Sequence, residues 1–549
     1  MSRQNNLPLN IWTFLGINNF NPFKTMSIRK TILACALAIT CATPLLAKSQ
    51  PNFIFIITDD MYPWQMNFMP EGAGNNYTPN FDRLSSEGTI MRGQYVSSTV
   101  CTPSRYSCMT GRYASRSQDP AFLRETKKRG QSHVQWNTFA DPTKEKTIAH
   151  HLRAAGYRTG FVGKDHVITT PDRHHLGLSA DINDPKVLSK MKHNKAASEA
   201  AFKRAGFEFV ERVYHNNPDF NGSRTLAVHN QDWITEGALK FLSKEDERPF
   251  FLYFSTTIPH GPTSPERSWK ADRRATPEGL LKEPPVVQPD ANSIARRAAE
   301  NGAEGKETIL WIDDAIGALM KKLEDSGELE NTVIIFFNDH GQAAKGSVYQ
   351  GGAYNPSVIW RDGGWPVGNE SEALVSNIDF VPTLLDMAGA EPPANVDGVS
   401  FLPILENKEK EVRDALFFEM GFTRAVMKDG LKYIALRYPP QVANMTREER
   451  QAALDHMNDN LRDRRRPVHT EDPMQPFGHL MAIPGGHDAE QGAVRSYPHY
   501  YEADQLYDID KDPSEKVNQF NNPEFAQKLA ELRKELESHL EFMPGDFPL

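Results

Sequence analysis

Three short, continuously apolar segments constrain the fold of this chain more than any other feature of its sequence. They cover residues 52–58, 250–256 and 332–337, and each has the length and composition of a β-strand buried on both faces. Helical patterns occupy residues 147–156 and 306–325 between them. Because strands that alternate with helices form a sheet with helices on its faces, this pattern predicts an α/β fold.

Polar residues follow each of the three predicted strands directly. Asp59 and Asp60 follow the first strand, His260 follows the second, and Asp339 and His340 follow the third. In open α/β sheets, ligands bind outside the carboxyl ends of the strands. We therefore predict that these five side chains converge on one pocket.

Composition and charge exclude several other classes of protein. The chain has 549 residues, of which 39% are hydrophobic, and this fraction supports a sizeable core and excludes general disorder. The formal net charge is −9, without a long basic stripe, which argues against a nucleic-acid-binding protein. Four cysteines in a chain of this length exclude a scaffold built on disulfides.

The N-terminus is typical of an export signal. Two basic residues precede an apolar run at 31–42, which is shorter than the roughly 20 residues needed to cross a bilayer. We predict a signal peptide at 1–47, cleaved after Ala47, with Met26 as the true start and a periplasmic or secreted product. A lipid anchor at Cys41 and a buried apolar helix are the alternatives. No membrane span is predicted.

Composition changes again in a charged stretch at residues 406–414, which we interpret as a domain boundary. A larger domain at 48–405 would carry the pocket. A smaller α+β domain at 415–549 would follow, built on hairpin strands and a terminal helix. Within it, the polar segment 438–500 is rich in Pro, Arg and His, and we predict that it is an insertion facing the substrate.

The signal peptide would remove two cysteines and leave Cys101 and Cys108, which could form a disulfide or be buried thiols. Cys101 begins the sequence Cys-Thr-Pro-Ser-Arg, and Thr-Gly-Arg follows at 110–112. This segment resembles the signature of the Cys-type sulfatases, a family of the alkaline-phosphatase-like superfamily. The resemblance implies that a maturation enzyme oxidises Cys101 to Cα-formylglycine (3-oxoalanine).

Further motifs, in the same order along the chain, extend the resemblance to bacterial polysaccharide sulfatases. They lie at residues 52–60, 156–166, 259–262, 337–341 and 345–352. The resemblance implies a large mixed β-sheet flanked by helices on both faces, with a short antiparallel sheet in the C-terminal domain. Two positions depart from the family pattern. Asp165 stands where an aromatic residue is common, and Gln350 stands where Glu is common.

The resemblance also implies a metal centre. Its ligands would be Asp59, Asp60, Asp339 and His340, together with residue 101. Mostly hard oxygen donors favour Ca²⁺, and Mg²⁺ is the alternative.

The same resemblance assigns roles to the remaining polar residues. Lys164 and Lys345 would neutralise sulfate oxygens, and Arg105 would hold the nucleophile in register. His166 is the candidate base and His260 the candidate acid for the leaving alcohol. The hydrated aldehyde, a gem-diol, would form a covalent sulfo-enzyme and then release sulfate.

The predicted substrate is a sulfated carbohydrate, with oligosaccharides of algal-type polysaccharide preferred. Basic and aromatic residues in three segments, 115–136, 174–178 and 462–501, would contact the sugar. Glycosaminoglycan or mucin sugars and aryl sulfates are alternative substrates. A phosphonate or phosphate ester hydrolase, a silent carbohydrate-binding relative, and a sulfatase whose Cys101 is not converted are alternative functions.

Overall fold

A computed structural model describes residues 50–129, 133–468, 470–475, 478–480 and 490–549. The predicted signal peptide and the start at Met26 lie outside these residues. The strands are β1 (Asn52–Asp59), β2 (Thr89–Met91), β3 (Gln94–Tyr95), β4 (Arg158–Lys164), β5 (Phe209–Tyr214), β6 (Phe250–Pro259), β7 (Ala275–Thr276), β8 (Gly279–Leu280), β9 (Thr332–Asn338), β10 (Ser357–Arg361), β11 (Glu370–Ser371), β12 (Val375–Ser376), β13 (Ala415–Met420), β14 (Thr423–Lys428), β15 (Leu431–Leu436) and β16 (Asp504–Asp508).

The helices alternate with these strands over most of the chain. They are α1 (Pro79–Glu87), α2 (Cys101–Thr110), α3 (Pro120–Arg129), α4 (Ile148–Ala154), α5 (Pro185–Arg204), α6 (Gln231–Leu242), α7 (Ala291–Glu300), α8 (Glu307–Ser326), α9 (Gln350–Ala353), α10 (Phe380–Met387), α11 (Leu402–Leu405), α12 (Pro440–Ala443), α13 (Arg447–Asp463), α14 (Gln491–Ser496) and α15 (Ala526–Leu540). The helices and strands predicted from the sequence are therefore confirmed, with bounds shifted by a few residues.

An eight-stranded sheet organises the larger part of the molecule, in the order β11-β2-β10-β9-β1-β6-β4-β5. Strand β1 is parallel to both β6 and β9, and β4 is parallel to β5 and β6. Strand β10 is antiparallel to β9 and β2. The sheet is mixed, as predicted.

The side chains of β1 show why its sequence is continuously apolar. Phe53, Phe55 and Ile57 pack into one hydrophobic layer, which also includes residues of α2, α4 and α10. Ile54 and Ile56 pack into a second layer with residues of α6 and α8. Because successive side chains of a strand point to opposite faces, a strand covered by helices on both sides needs an apolar residue at every position.

A second, antiparallel sheet has the order β13-β14-β15-β16. Phe417 and Tyr433 on one face pack against Leu532 and Leu536 of α15. Residues of the opposite face, among them Phe418, join the layer that contains α2. The predicted short antiparallel sheet near the C-terminus is confirmed, whereas the domain boundary at 406–414 stays a prediction.

Among the described residues, no helix has the length and the apolar character that crossing a bilayer demands.

Candidate active site

Parallel strands bring the predicted polar residues together at one edge of the large sheet. Asp60 follows β1, His340 follows β9, and Cys101 is the first residue of α2. The Cys101 Sγ atom lies 3.5 Å from His340 Nε2, 3.4 Å from Lys345 Nζ and 3.8 Å from Asp60 Oδ1. The N-terminus of a helix carries partial positive charge, so α2 favours negative charge on the side chain at position 101.

The two described cysteines differ in their surroundings, and both are free. They lie two turns apart on α2, about 10 Å along the helix axis, which is too far for a disulfide. The disulfide alternative is therefore wrong. Cys108 contacts the amide of Asn377 at 3.8 Å, and burial raises the pKa of its thiol. Only Cys101 stands among cations and carboxylates.

Four of the five predicted metal ligands form one group. One ligand atom each from Asp60, Cys101, Asp339 and His340 all lie within 4.8 Å of one another. The backbone N–H of Asp60 donates to Asp339 Oδ1 at 3.2 Å. Two carboxylates and an imidazole beside the Cys101 side chain form a set of donors that could hold a divalent cation.

The charges of this group stabilise one another. Burial alone would raise the pKa of Asp60, but Lys345, whose Nζ lies 2.6 Å from Asp60 Oδ1, and then His340 lower it below its ordinary value. Burial alone would lower the pKa of His340, but the carboxylates of Asp339 and Asp60 raise it to about 10. The Asp60 carboxylate therefore stays ionised despite burial.

Asp59, the fifth predicted metal ligand, directs its carboxylate to two cations. Its Oδ2 lies 2.5 Å from Lys164 Nζ, and its Oδ1 lies 3.5 Å from Arg105 Nη2. Burial would raise the pKa of Asp59, and Lys164 in particular holds it well below the ordinary value. Asp59 thus holds Lys164 at the end of β4, beside the group of Asp60, Cys101, Asp339 and His340.

Arg105 connects the three central strands from within α2. Its Nη1 donates to Ser255 Oγ on β6 at 2.7 Å, and its Nε donates to Asp339 Oδ2 at 3.2 Å. Its Nη2 also donates to the carbonyl of Thr58 on β1 at 3.1 Å. A guanidinium with five donors in a rigid plane suits this position, where it fixes α2 relative to the strand ends.

His166 is placed by a short loop after β4. Its backbone has φ 48°, in the left-handed region, and its N–H donates to the carbonyl of His215 at 3.1 Å. Among the described residues, no hydrogen-bond partner lies near its Nδ1 atom. Burial, and then Lys164, lower the pKa of His166, which favours the neutral form of the ring.

Asp165 directs both carboxylate oxygens to this loop and to His215. Its Oδ1 accepts hydrogen bonds from the N–H groups of Val167 and Ile168 at 3.0 and 2.9 Å, and its Oδ2 lies 3.2 Å from His215 Nδ1. The departure from the family pattern at this position therefore serves local structure.

The second histidine, His260, has a partner that the sequence did not reveal. Its Nε2 lies 3.4 Å from Asp60 Oδ2 and 2.9 Å from Asn217 Nδ2, and its Nδ1 lies 2.9 Å from the carbonyl of Gly261. Asn217 stands before a proline, and Asn-Pro alone indicates a turn. Only the fold brings this amide to His260.

The segment that carries Lys345, residues 345–353, is held by C-terminal residues. The Tyr497 ring stacks on Tyr349 with centroids 3.9 Å apart, and its hydroxyl accepts from the N–H of Gly351 at 3.3 Å. Glu515 Oε2 accepts from the N–H of Gln350 at 2.6 Å. Gln350, the second departure from the family pattern, therefore belongs to the support of Lys345 and does not contact the reacting group.

The three predicted sugar-contacting segments have different positions. Trp136 lies beside the site, with its ring centroid 5.5 Å from Lys345 Nζ. The His174 ring contacts the His193 ring, with centroids 4.4 Å apart and 38° between the planes. Arg464 and Arg466 line a separate surface cavity of about 370 Å³ beside α13. In the third segment, the rings of Tyr497 and Tyr500 stack on Tyr349 of the Lys345 segment.

Known proteins are similar to this chain in sequence over most of its length. The family model named Sulfatase matches residues 51–390, which include every predicted site residue. An ulvan-active sulfatase from Formosa agariphila is 26% identical over 532 residues, covering 92% of this chain and 77% of that protein. An N-acetylglucosamine-6-O-sulfatase from Bacteroides thetaiotaomicron is 27% identical over 468 residues, covering 73% of this chain and 80% of that protein.

Solved structures show the same fold. A protein determined in complex with its substrate D-glucosamine-2-N,6-O-disulfate superposes with a TM-score of 0.55 at 19% identity, over 90% of this chain and 98% of that one. The predicted alkaline-phosphatase-like architecture is confirmed. Because the family model covers more than half of the chain and includes the whole cluster around Cys101, the chain belongs to the sulfatase family of sulfuric ester hydrolases.

Proposed function

We propose that this sulfatase hydrolyses sulfate monoesters of carbohydrates, and that its substrates are oligosaccharides of sulfated, algal-type polysaccharide. Similarity to an ulvan-active sulfatase over 92% of the chain supports this class of substrate. The observation that carries the proposal is the position of Cys101 at the start of α2, with its Sγ 3.4 Å from Lys345 and 3.5 Å from His340.

In this proposal, Cys101 is converted by a maturation enzyme to Cα-formylglycine. The hydrated aldehyde supplies one hydroxyl that attacks sulfur as the alcohol leaves, and a second whose deprotonation expels sulfate and restores the aldehyde. Because the second hydroxyl lies on the same carbon, water need not attack the crowded, negatively charged sulfur.

Asp59, Asp60, Asp339 and His340, together with an oxygen of residue 101, are the proposed ligands of Ca²⁺, with Mg²⁺ as the alternative. When bound, such a cation supplies positive charge next to the sulfate and the attacking oxygen. The compact set of donor atoms within 4.8 Å of one another supports this assignment for all of these residues except Asp59.

The other side chains act on charge and protons. Lys164 and Lys345 neutralise the sulfate oxygens, and Arg105 holds residue 101 in register with the strand ends. The neutral ring of His166 accepts the proton from the second hydroxyl. His260 donates the proton on its Nε2 to the leaving alcohol, while its Nδ1–H donates to the Gly261 carbonyl. For this step the Asn217 amide turns its oxygen, which has no other partner among the described residues, toward Nε2–H.

We further propose that residues 1–47 export the protein to the periplasm or the medium, and that residues 48–405 and 415–549 form its two domains. The tie between Tyr497 and the Lys345 segment supports a role for the 438–500 insertion at the site.

The test uses the full chain expressed with a maturation enzyme. We expect sulfate release from sulfated oligosaccharides and from p-nitrophenyl sulfate, with p-nitrophenyl phosphate and phosphonate esters turned over far more slowly. Mass analysis of the tryptic peptide 93–105 should show the aldehyde, which is lighter than the thiol. Faster turnover of phosphonate than of sulfate esters, or an unmodified thiol in the active protein, would contradict the proposal.

A further inference from the structure

Two exposed aromatic side chains follow the metal-binding carboxylate Asp60 within four residues. Tyr62 and Trp64 expose 39% and 38% of their surface, and their ring centroids lie 6.1 Å apart with 22° between the planes. Neighbouring exposed aromatic side chains beside a polar site indicate a ligand-binding surface more often than single exposed aromatic residues do. We call this pair the aromatic platform.

A lysine completes the platform. Lys306 Nζ lies 5.6 Å from the Trp64 ring centroid and 5.1 Å from that of Tyr77, within the range of cation–π attraction. Within the described ranges, no carboxylate forms an ion pair with Lys306. Its charge is therefore available to an anionic group that lies on the platform.

The direction of α8 places Lys306 at the same sheet edge as the active site. Lys306 immediately precedes α8, and the end of that helix connects through a short turn to the start of β9. A helix of 20 residues extends about 30 Å, longer than the strands, so its first residue lies at their carboxyl ends. Tyr62 and Trp64 reach the same edge because they follow β1.

The backbone under the platform is fixed before any ligand binds. Asn338, the last residue of β9, accepts from the N–H of Met61 at 3.0 Å and donates to its carbonyl at 3.1 Å. The N–H of Tyr62 donates to Gln65 Oε1 at 2.8 Å, and Asn75 Nδ2 donates to the carbonyl of Trp64 at 2.8 Å. Little ordering is thus left for a ligand to impose, which favours affinity.

We propose that Tyr62, Trp64 and Lys306 form an outer subsite for the sugar residue that adjoins the one whose sulfate ester is cleaved. The C–H face of a pyranose ring lies on the aromatic platform, and Lys306 binds a sulfate or carboxylate of that sugar. The inference rests on the proposed carbohydrate sulfatase function and adds that the enzyme recognises an anionic oligosaccharide beyond a single sulfated residue.

The test compares kcat/KM for p-nitrophenyl sulfate, a sulfated monosaccharide and a sulfated tetrasaccharide. Trp64→Ala is expected to lower kcat/KM about tenfold on the tetrasaccharide, a loss at least five times larger than on p-nitrophenyl sulfate. Lys306→Gln should lower it about fivefold, with a weaker effect at high salt. Phe542→Ala, at an aromatic residue 75% exposed near the C-terminus, and Lys321→Gln, on the exposed surface of α8, are matched controls with unchanged kinetics.

Equal losses on all three substrates would overturn the subsite, as would a wild-type enzyme that cleaves the monosaccharide as efficiently as the tetrasaccharide. Failure of the wild type to release sulfate from any of the three would instead reject the proposed function. Thermal melting of each variant shows whether its fold is retained.

Discussion

Two groups of buried charges in this molecule look alike in composition but differ in construction. One surrounds Cys101 at the edge of the large sheet. The other is the pair of Lys432 on β15 and Glu515, whose side chains are fully buried and whose Nζ and Oε1 atoms lie 3.0 Å apart. Glu515 also accepts from the N–H of Gln350, so this second group supports the Lys345 segment from the side of the small sheet.

The difference lies in what each group leaves available for chemistry. In the pair of Lys432 and Glu515, burial lowers the pKa of the lysine and raises that of the glutamate, and the charges satisfy each other. Around Cys101, the charged side chains converge on one atom that none of them neutralises: the Cys101 Sγ lies 3.4 Å from Lys345 Nζ, 3.5 Å from His340 Nε2 and 3.8 Å from Asp60 Oδ1. A buried ion pair alone therefore does not indicate a site.

The largest expected effect concerns the two cysteines of α2. Cys101→Ala should lower sulfate release at least about 10³-fold, because the nucleophile is lost. Cys108→Ala, which changes a buried thiol outside the charge cluster, should retain activity within about twofold of the wild type and serves as the matched control. Sulfate release from p-nitrophenyl sulfate measures both. If Cys101→Ala were as active as the wild type, the charge group around Cys101 would not be the site of sulfate release.

Replacing one lysine from each charge group separates chemistry from stability. Lys164→Met should lower kcat/KM more than about 100-fold with a small change in the free energy of unfolding, since Arg105 still compensates Asp59. Lys432→Met should lower the free energy of unfolding by about 3–5 kcal/mol, because Glu515 is left buried without a partner. Activity per folded molecule should then stay near that of the wild type.

Urea unfolding and kinetics on the same samples check both results. The double variant Lys432→Met/Glu515→Gln should recover part of the lost stability, because no buried charge remains. The comparison would fail if Lys432→Met abolished activity in fully folded protein, or if Lys164→Met unfolded the chain.

A smaller effect is expected from metal. Calcium added to chelator-treated protein should raise the melting temperature, because it binds the folded state alone. A free calcium concentration of 100 times Kd corresponds to about 2.7 kcal/mol of stabilisation. Asp339→Asn should abolish this shift. Asp313→Asn is the control and should preserve the calcium shift. Asp313 is a buried carboxylate away from the site, and its Oδ1 accepts from the N–H of Phe81 at 2.8 Å. An unchanged calcium shift in Asp339→Asn would show that the metal binds elsewhere.

The smallest effect is expected at Asn217. Asn217→Ala should lower kcat/KM about tenfold on sulfated sugars, whose alcohol leaves poorly without a proton, and less than threefold on p-nitrophenyl sulfate. Asn301→Ala, at the exposed end of α7, is the control for an asparagine without a role at the site. Losses of equal size on both substrates would mean that Asn217 supports structure and does not position His260.

The large sheet and most of the site could be predicted from the sequence, because both depend on local patterns. Apolar runs predict β1, β6 and β9, and the residues after them meet because parallel strands share one edge. Two other contacts join residues that are distant in sequence. Asp59 and Lys164 are separated by 105 positions, and Asn217 and His260 by 43. No periodicity or motif records such contacts, so they require the structure.

The stacking of Tyr497 on Tyr349 has a consequence for how this enzyme can be divided. A chain shortened to residue 405 would keep every proposed catalytic residue yet lose Tyr497 and Glu515, whose side chains accept hydrogen bonds from the backbone that follows Lys345. Such a fragment would expose the Tyr349 ring to water. It would also leave the Lys345 ammonium on a backbone segment without its C-terminal hydrogen-bond partners. The smallest active unit of this sulfatase therefore extends to the C-terminal sheet, and truncation libraries or domain exchanges should treat both sheets as inseparable.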